Sequence, residues 1–141
     1  MPEARGEIEI ERPPAEVFKF LADGENDRHW RDGVLDVKRK SGGGKGAIYE
    51  QGVKGPFGRR VPADYEVTEF EPNRKIAFRA IAGPVRPEGS YLLEPAPGGT
   101  RLTFALSATP TGLAKLMTPM VAKTMRAEVA QLGRLKDVLE R

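Results

Sequence analysis

From Leu35 onward the hydrophobic period changes once, and that change constrains the fold more than any other feature. Between Leu35 and Leu106 apolar residues alternate with polar ones in short runs. Between Leu113 and Leu139 they recur every three or four residues instead. Period two marks a half-buried strand, whereas steps of three and four mark an amphipathic helix. The chain therefore reads as a block of strands closed by a helix.

Residues 6–11 open with strict alternation, Ile8 and Ile10 on one side and Glu7, Glu9 and Glu11 on the other. That is a strand with one wet face. Arg12-Pro13-Pro14 stops it, and Val17, Phe18 and Leu21 then recur at helical spacing until Asp23-Gly24. Pro14 suits the first turn of such a helix. Residues 25–30 read as a second short helix or turn anchored by Trp30. Leu35 with Val37, Ala47 with Tyr49 and Val53, Ala63 with Tyr65 and Val67, Ile76 with Phe78 and Ala80, Tyr91 with Leu93, and Leu102 with Phe104 and Leu106 then predict six further strands, about seven in all. Gly55-Pro56-Phe57-Gly58, Glu71-Pro72-Asn73 and Pro97-Gly98-Gly99 read as turns between them. Pro119 sits inside the helical stripe. It either kinks the helix or starts its long part, with Thr118 as N-cap. From Thr118 onward the helix is expected to run about 24 residues, roughly 35 Å. A one-faced antiparallel sheet must bury its apolar side, and this helix is the only long stripe available to it.

The chain has 141 residues, which suits one domain spanning 1–141. It has no Cys and one His, so a thiolate zinc site, a disulfide framework and a His-rich metal centre are excluded, and no metal or cofactor is expected. No run of apolar residues is long enough to span a membrane, and no secretory h-region opens the chain. A cytoplasmic location is the expectation. The 23 basic residues exceed the 20 acidic ones by only three, and the two are interleaved, so no nucleic-acid partner is expected. Gly42-Gly43-Gly44-Lys45-Gly46 is a turn and not a phosphate loop, because Gly46 stands where Ser or Thr must follow the lysine. An exposed edge strand offers a route to a homodimer.

The order of one strand, two short helices, six strands and a long helix resembles the helix-grip fold of the START and Bet v 1-like (SRPBCC) superfamily. Within it the chain is most similar to the polyketide cyclase/dehydrase and lipid-transport family. The resemblance is carried by Ile8-Glu9-Ile10 with Arg12-Pro13-Pro14-Ala15-Glu16-Val17-Phe18, by residues 23–30, by Gly46-Ala47-Ile48-Tyr49, by Gly99-Thr100-Arg101-Leu102-Thr103, and by residues 132–139 with Lys136. It implies an α+β domain whose curved sheet wraps the C-terminal helix around a cavity for a hydrophobic molecule such as a lipid, polyketide or quinone. Some members of the family are cyclases. The related activator of the Hsp90 ATPase, a protein-partner module, shares the Pro-Pro-x-x-Val opening.

Inward strand parity selects Tyr49, Gln51, Tyr65, Phe78, Tyr91 and Phe104 as candidate ligand contacts. Each tyrosine reads either as core with a satisfied hydroxyl or as a cavity wall. Gln51, polar on an apolar parity, reads as an edge position facing solvent or as a cavity group. Trp30 serves as a packing anchor or a ligand contact. Met117, Met120 and Met125 on the helix suit a core or an adaptable pocket. His29 would act as a base only with help from Asp27 or Asp32, and a surface position is the plainer reading. No catalytic set is evident. A carrier or sensor predicts almost wholly apolar inward positions, an enzyme at least two convergent polar groups, and a partner module a filled interior.

Overall fold

The computed structural model describes residues 3–83, 85–109 and 112–141. Strand β1 (Glu3–Ile10) buries Ile10 and leaves Glu7 and Glu9 exposed, as the alternation requires. Helix α1 (Pro14–Ala22) starts with proline in its first turn and buries Val17, Phe18 and Leu21. Asp23 ends it, and its carboxylate accepts the Glu25 N–H to cap a 3-10 helix at Gly24–His29. Trp30 follows that helix and is buried.

Seven further strands complete one antiparallel sheet: β2 (Val34–Ser41), β3 (Ile48–Lys54), β4 (Arg60–Pro62), β5 (Tyr65–Glu71), β6 (Lys75–Ala80), β7 (Glu88–Ala96) and β8 (Gly99–Ser107). Their order is β1-β8-β7-β6-β5-β3-β2, with β4 paired to β3 off this path. The one strand beyond the seven expected is β4, three residues long, folded back on β3 by the turn at residues 55–58. Strand β2 departs from the expected parity. A bulge between Val34 and Asp36 turns Val34 inward and leaves Leu35 exposed.

The C-terminal part follows a 3-10 helix at Gly112–Met117. It is helical as expected, but in two pieces, α2 (Thr118–Val129) and α3 (Leu132–Leu139). The Gln131 side chain accepts the Asp32 N–H at 2.8 Å, and Gln131 itself adopts φ −83°, ψ 3°, where the helix breaks. The apolar stripe crosses the break without a gap, through Val129, Leu132 and Leu135, so periodicity alone gave a single helix. Thr118 opens α2, but its hydroxyl donates to the Lys115 carbonyl instead of accepting from the first turn. Helices α2 and α3 run alongside β1. A Cβ on Gly6 would meet the Val129 side chain, Lys136 donates to the Glu9 carbonyl, and Glu140 accepts from the Glu11 N–H. The sheet and the three helices enclose one hydrophobic cluster in a helix-grip architecture of class α+β.

Candidate functional site

Five aromatic side chains from five neighbouring strands form one row across the inner face of the sheet. Tyr49 stacks on Tyr65 with centroids 5.0 Å apart, Tyr65 meets Phe78 at 5.6 Å, Phe78 meets Tyr91 at 5.7 Å, and Tyr91 stacks on Phe104 at 4.8 Å. Register produces the row. Tyr49 lies opposite Tyr65, Tyr91 lies opposite Phe104, and Phe78 sits diagonally between them. Gly89 makes room for it, since a Cβ there would overlap the Phe78 ring. Trp30 packs edge-on against Tyr91 and Phe104 at 6.2 and 5.9 Å.

A cavity of about 20 Å³ lies between this row and the 24–29 helix. That is room for a single water molecule. Its walls include Asp27, Arg31, Tyr49, Tyr65, Phe78 and Tyr91, together with the end of α1. The sequence placed the cavity against the C-terminal helix. In the fold, the 24–29 helix and α1 form that wall instead. Of the expected contacts, Tyr49, Tyr65, Phe78 and Tyr91 line the cavity. Trp30 and Phe104 stand directly behind Tyr91. Met125 is buried in the core, Met120 is 47% exposed, and the side chain of Met117 lies outside the described residues. Gln51 is buried and not at a solvent-facing edge. Its amide donates to the Ala63 carbonyl at 3.2 Å, and its carbonyl has no partner among the described residues. His29 and Asp32 are exposed, so neither forms part of the cavity.

Two charged residues that the strand pattern did not select face the cavity. Asp27 and Arg31 are both buried and pair at 3.2 Å, one helical turn apart. Arg31 also binds Glu128 of α2 at 2.8 Å. Burial pushes the Asp27 carboxyl up to about 6, against the lowering pull of Arg31. Burial works against the Arg31 charge too, and the Glu128 and Asp27 carboxylates more than offset it, so the guanidinium stays ionised. The Tyr91 phenol is held well above its usual range, first by burial and then by the Asp27 charge, and so remains a neutral donor. Among the described residues the Tyr91 hydroxyl and the Arg31 Nε–H are buried and make no well-formed hydrogen bond, and Tyr91 and Arg31 adjoin each other. Each unmatched buried donor costs about 1–3 kcal/mol. The arrangement therefore presents a row of tilted and stacked aromatic rings ending in two buried donors and one carboxyl that burial holds well above its usual range. Among the described residues no group of His, Cys, Asp and Glu has the arrangement of a metal site, and no helix is long and apolar enough to cross a membrane.

An eight-stranded antiparallel sheet closed by a C-terminal helical segment is a helix-grip fold. The chain belongs to the family described as polyketide cyclase/dehydrase and lipid transport, which it matches over residues 1–140. Its fold is similar to the crystal structure of TTHA0849 from Thermus thermophilus, at 23% identity and a TM-score of 0.82, covering 98% of this chain and 97% of that one. It is similar also to DR_A0006 from Deinococcus radiodurans, at 21% identity and a TM-score of 0.70, covering 96% and 95%. Ara h 8.0201 aligns at 14% identity and a TM-score of 0.75, covering 97% and 96%. A search of curated proteins finds no match.

Proposed function

We propose that the protein binds a small hydrophobic molecule bearing a carbonyl or hydroxyl oxygen, a lipid, polyketide or quinone, and acts as its carrier or sensor. The observation that carries this reading is the pair of buried donors that make no well-formed hydrogen bond, Tyr91 hydroxyl and Arg31 Nε–H, at the wall of an aromatic cavity. A ligand oxygen would satisfy both while its apolar body lies along the aromatic row. The cavity of about 20 Å³ is a closed form, so binding requires the 24–29 helix to move off the sheet.

A second reading, a cyclase or dehydratase, draws support from Asp27. An ionisable group near 6 beside a fixed cation suits proton transfer to or from a carbonyl compound held by Arg31 and Tyr91.

Native mass spectrometry of the purified protein, with identification of any released molecule, tests both. Trp30, the single tryptophan, reports occupancy because it touches Tyr91. A panel of quinones, fatty acids and aromatic polyketides should quench or shift its emission, and Tyr91→Phe should weaken the oxygen-bearing members selectively. Turnover of a bound polyketide that is lost in Asp27→Asn would establish the enzyme. An apo mass, together with a panel that leaves both Trp30 emission and Tm unchanged, would overturn both readings in favour of a partner module with a filled interior.

A further inference from the structure

Phe57 is 102% exposed, at the tip of the β3–β4 hairpin, with φ 58°. A bulky aromatic residue in left-handed backbone, touching nothing, is unfavourable twice over. The fold makes no use of its side chain, which directs attention to something outside the molecule.

The topology gathers other exposed apolar groups to the same end. Val34 pairs with Val53, Arg79 with Glu88, and Glu88 with Ser107. The β3–β5 connection, the β6–β7 loop and the segment leaving β8 therefore leave the sheet at one end. Backbone bonding ties two of them, since Ile81 donates to the Asp64 carbonyl. Helix α2 begins at this end too. Val129 lies beside Gly6 and Glu140 bonds Glu11, so α2 and α3 run along β1 in its own direction. At about 1.5 Å per helical residue and about 3.3 Å per strand residue, the start of α2 falls just beyond the start of β1. Leu116, 83% exposed, and Met120, 47% exposed, stand there.

Charge is sorted with these groups. Residues 54–63, 81–87 and 107–123 hold Lys54, Arg59, Arg60, Arg86, Lys115 and Lys123, and no acid at all. The remainder of the chain then carries 17 of the 23 basic residues against all 20 acidic ones. Glu3, Asp64 and Glu88 border the same end at the strand termini, so six cations stand there against three acids and the end is net cationic. Arg60 is held by Asp36, while the other five form no ion pair among the described residues.

We propose that this end docks on an anionic phospholipid surface, with Phe57, Leu116 and Met120 entering the interface and Lys54, Arg59, Lys115 and Lys123 facing the headgroups. A broad anionic plane meets several separated tips at once, which a groove-shaped partner does not. A second copy fits poorly, because a two-fold contact would set like charges against each other.

Vesicle flotation tests the proposal, using phosphatidylcholine alone and with phosphatidylglycerol. The wild type should float with the anionic vesicles only, and rising salt should release it. Arg59→Gln and Lys115→Gln should each weaken binding about fivefold. Phe57→Asn should abolish most of it with Tm unchanged or raised, since Asn tolerates a positive φ. Phe57→Trp should retain binding, and its added emission should shift to the blue on anionic vesicles. Two results would overturn the proposal: equal behaviour on both vesicle types, or Phe57→Asn floating like wild type. A dimer in sedimentation that Phe57→Asn dissolves would assign the face to a second copy instead. Ligand response at Trp30 is read separately and does not depend on this outcome.

Discussion

Asp27 has the most to lose from where it sits. Its carboxyl is buried, and Arg31 offsets only part of the cost of charging it, so it is held near 6 in the folded protein against 3.8 when exposed. A carboxyl raised by folding binds its proton more tightly in the native state. Its contribution is therefore greatest below about pH 4 and is lost as pH rises through 6. The full span is roughly 2–3 kcal/mol. Asp36, Glu69 and Glu140 are lowered by partners and slope the other way, so the comparison must be with a variant lacking only Asp27. Asp27→Asn should gain on the wild type steadily between pH 4 and pH 7 in urea unfolding. Parallel profiles would show that Asp27 is not buried as described. The sequence offered Asp27 only as a helper for His29, and its burial was hidden for a physical reason. Residues 23–31 carry no apolar period, so nothing marked which side chains point inward. The only trace was an acid and a base four residues apart flanking a tryptophan. The tyrosines, by contrast, were legible, because period two on a strand fixes the facing of every second residue.

The same contrast holds for whole elements. Seven of the eight strands and α1 follow from alternation and turn residues, since a register slip would turn Ile76, Tyr91 and Phe104 out of the core. What the pattern could not carry were features that leave it intact. The bulge in β2 exchanges Val34 for Leu35 on the inner face, and both are apolar. The break between α2 and α3 preserves the stripe, and it coincides with a polar bond from Asp32 to Gln131 that crosses 99 residues of sequence. The stripe itself is what holds α3 to the sheet. Leu135 is wholly buried. Leu135→Ala should cost about 2–5 kcal/mol by chemical denaturation, the sum of lost transfer and an unfilled cavity. A cost under 1 kcal/mol would mean that α3 is loosely docked. Gly99 makes the opposite test. A Cβ there would run into the Ile10 carbonyl, which is backbone and has nowhere to go, so Gly99→Ala should also destabilise, by about 1–3 kcal/mol.

At the scale of the molecule, the helical wall of the cavity is closed by a polar latch. Arg31, just past the end of the wall, reaches Glu128 on α2, and next to it Asp32 bonds Gln131 and faces Arg134 at 3.4 Å. These contacts join parts of the chain about a hundred residues apart. They span the place where the 24–29 helix must lift if a molecule larger than water is to reach the aromatic row. The Arg31–Glu128 pair dominates, because Arg31 is nearly inaccessible and Glu128 only 22% exposed, so water screens it weakly. Glu128→Gln keeps the shape and an acceptor but removes the charge. The closed form contains the pair and is weakened by its loss, while a form with the 24–29 helix lifted loses nothing. Association of a hydrophobic probe such as anilinonaphthalene sulfonate should then accelerate, dissociation should change little, and Kd should fall. Stopped-flow quenching of Trp30 measures both rates. Removing Glu128 also removes one charge that disfavours ionised Asp27, so the Asp27 carboxyl should titrate lower in the variant. If the rates stay as in the wild type while Asp27 moves down, the pair tunes the carboxyl without holding the wall, and the gate lies elsewhere.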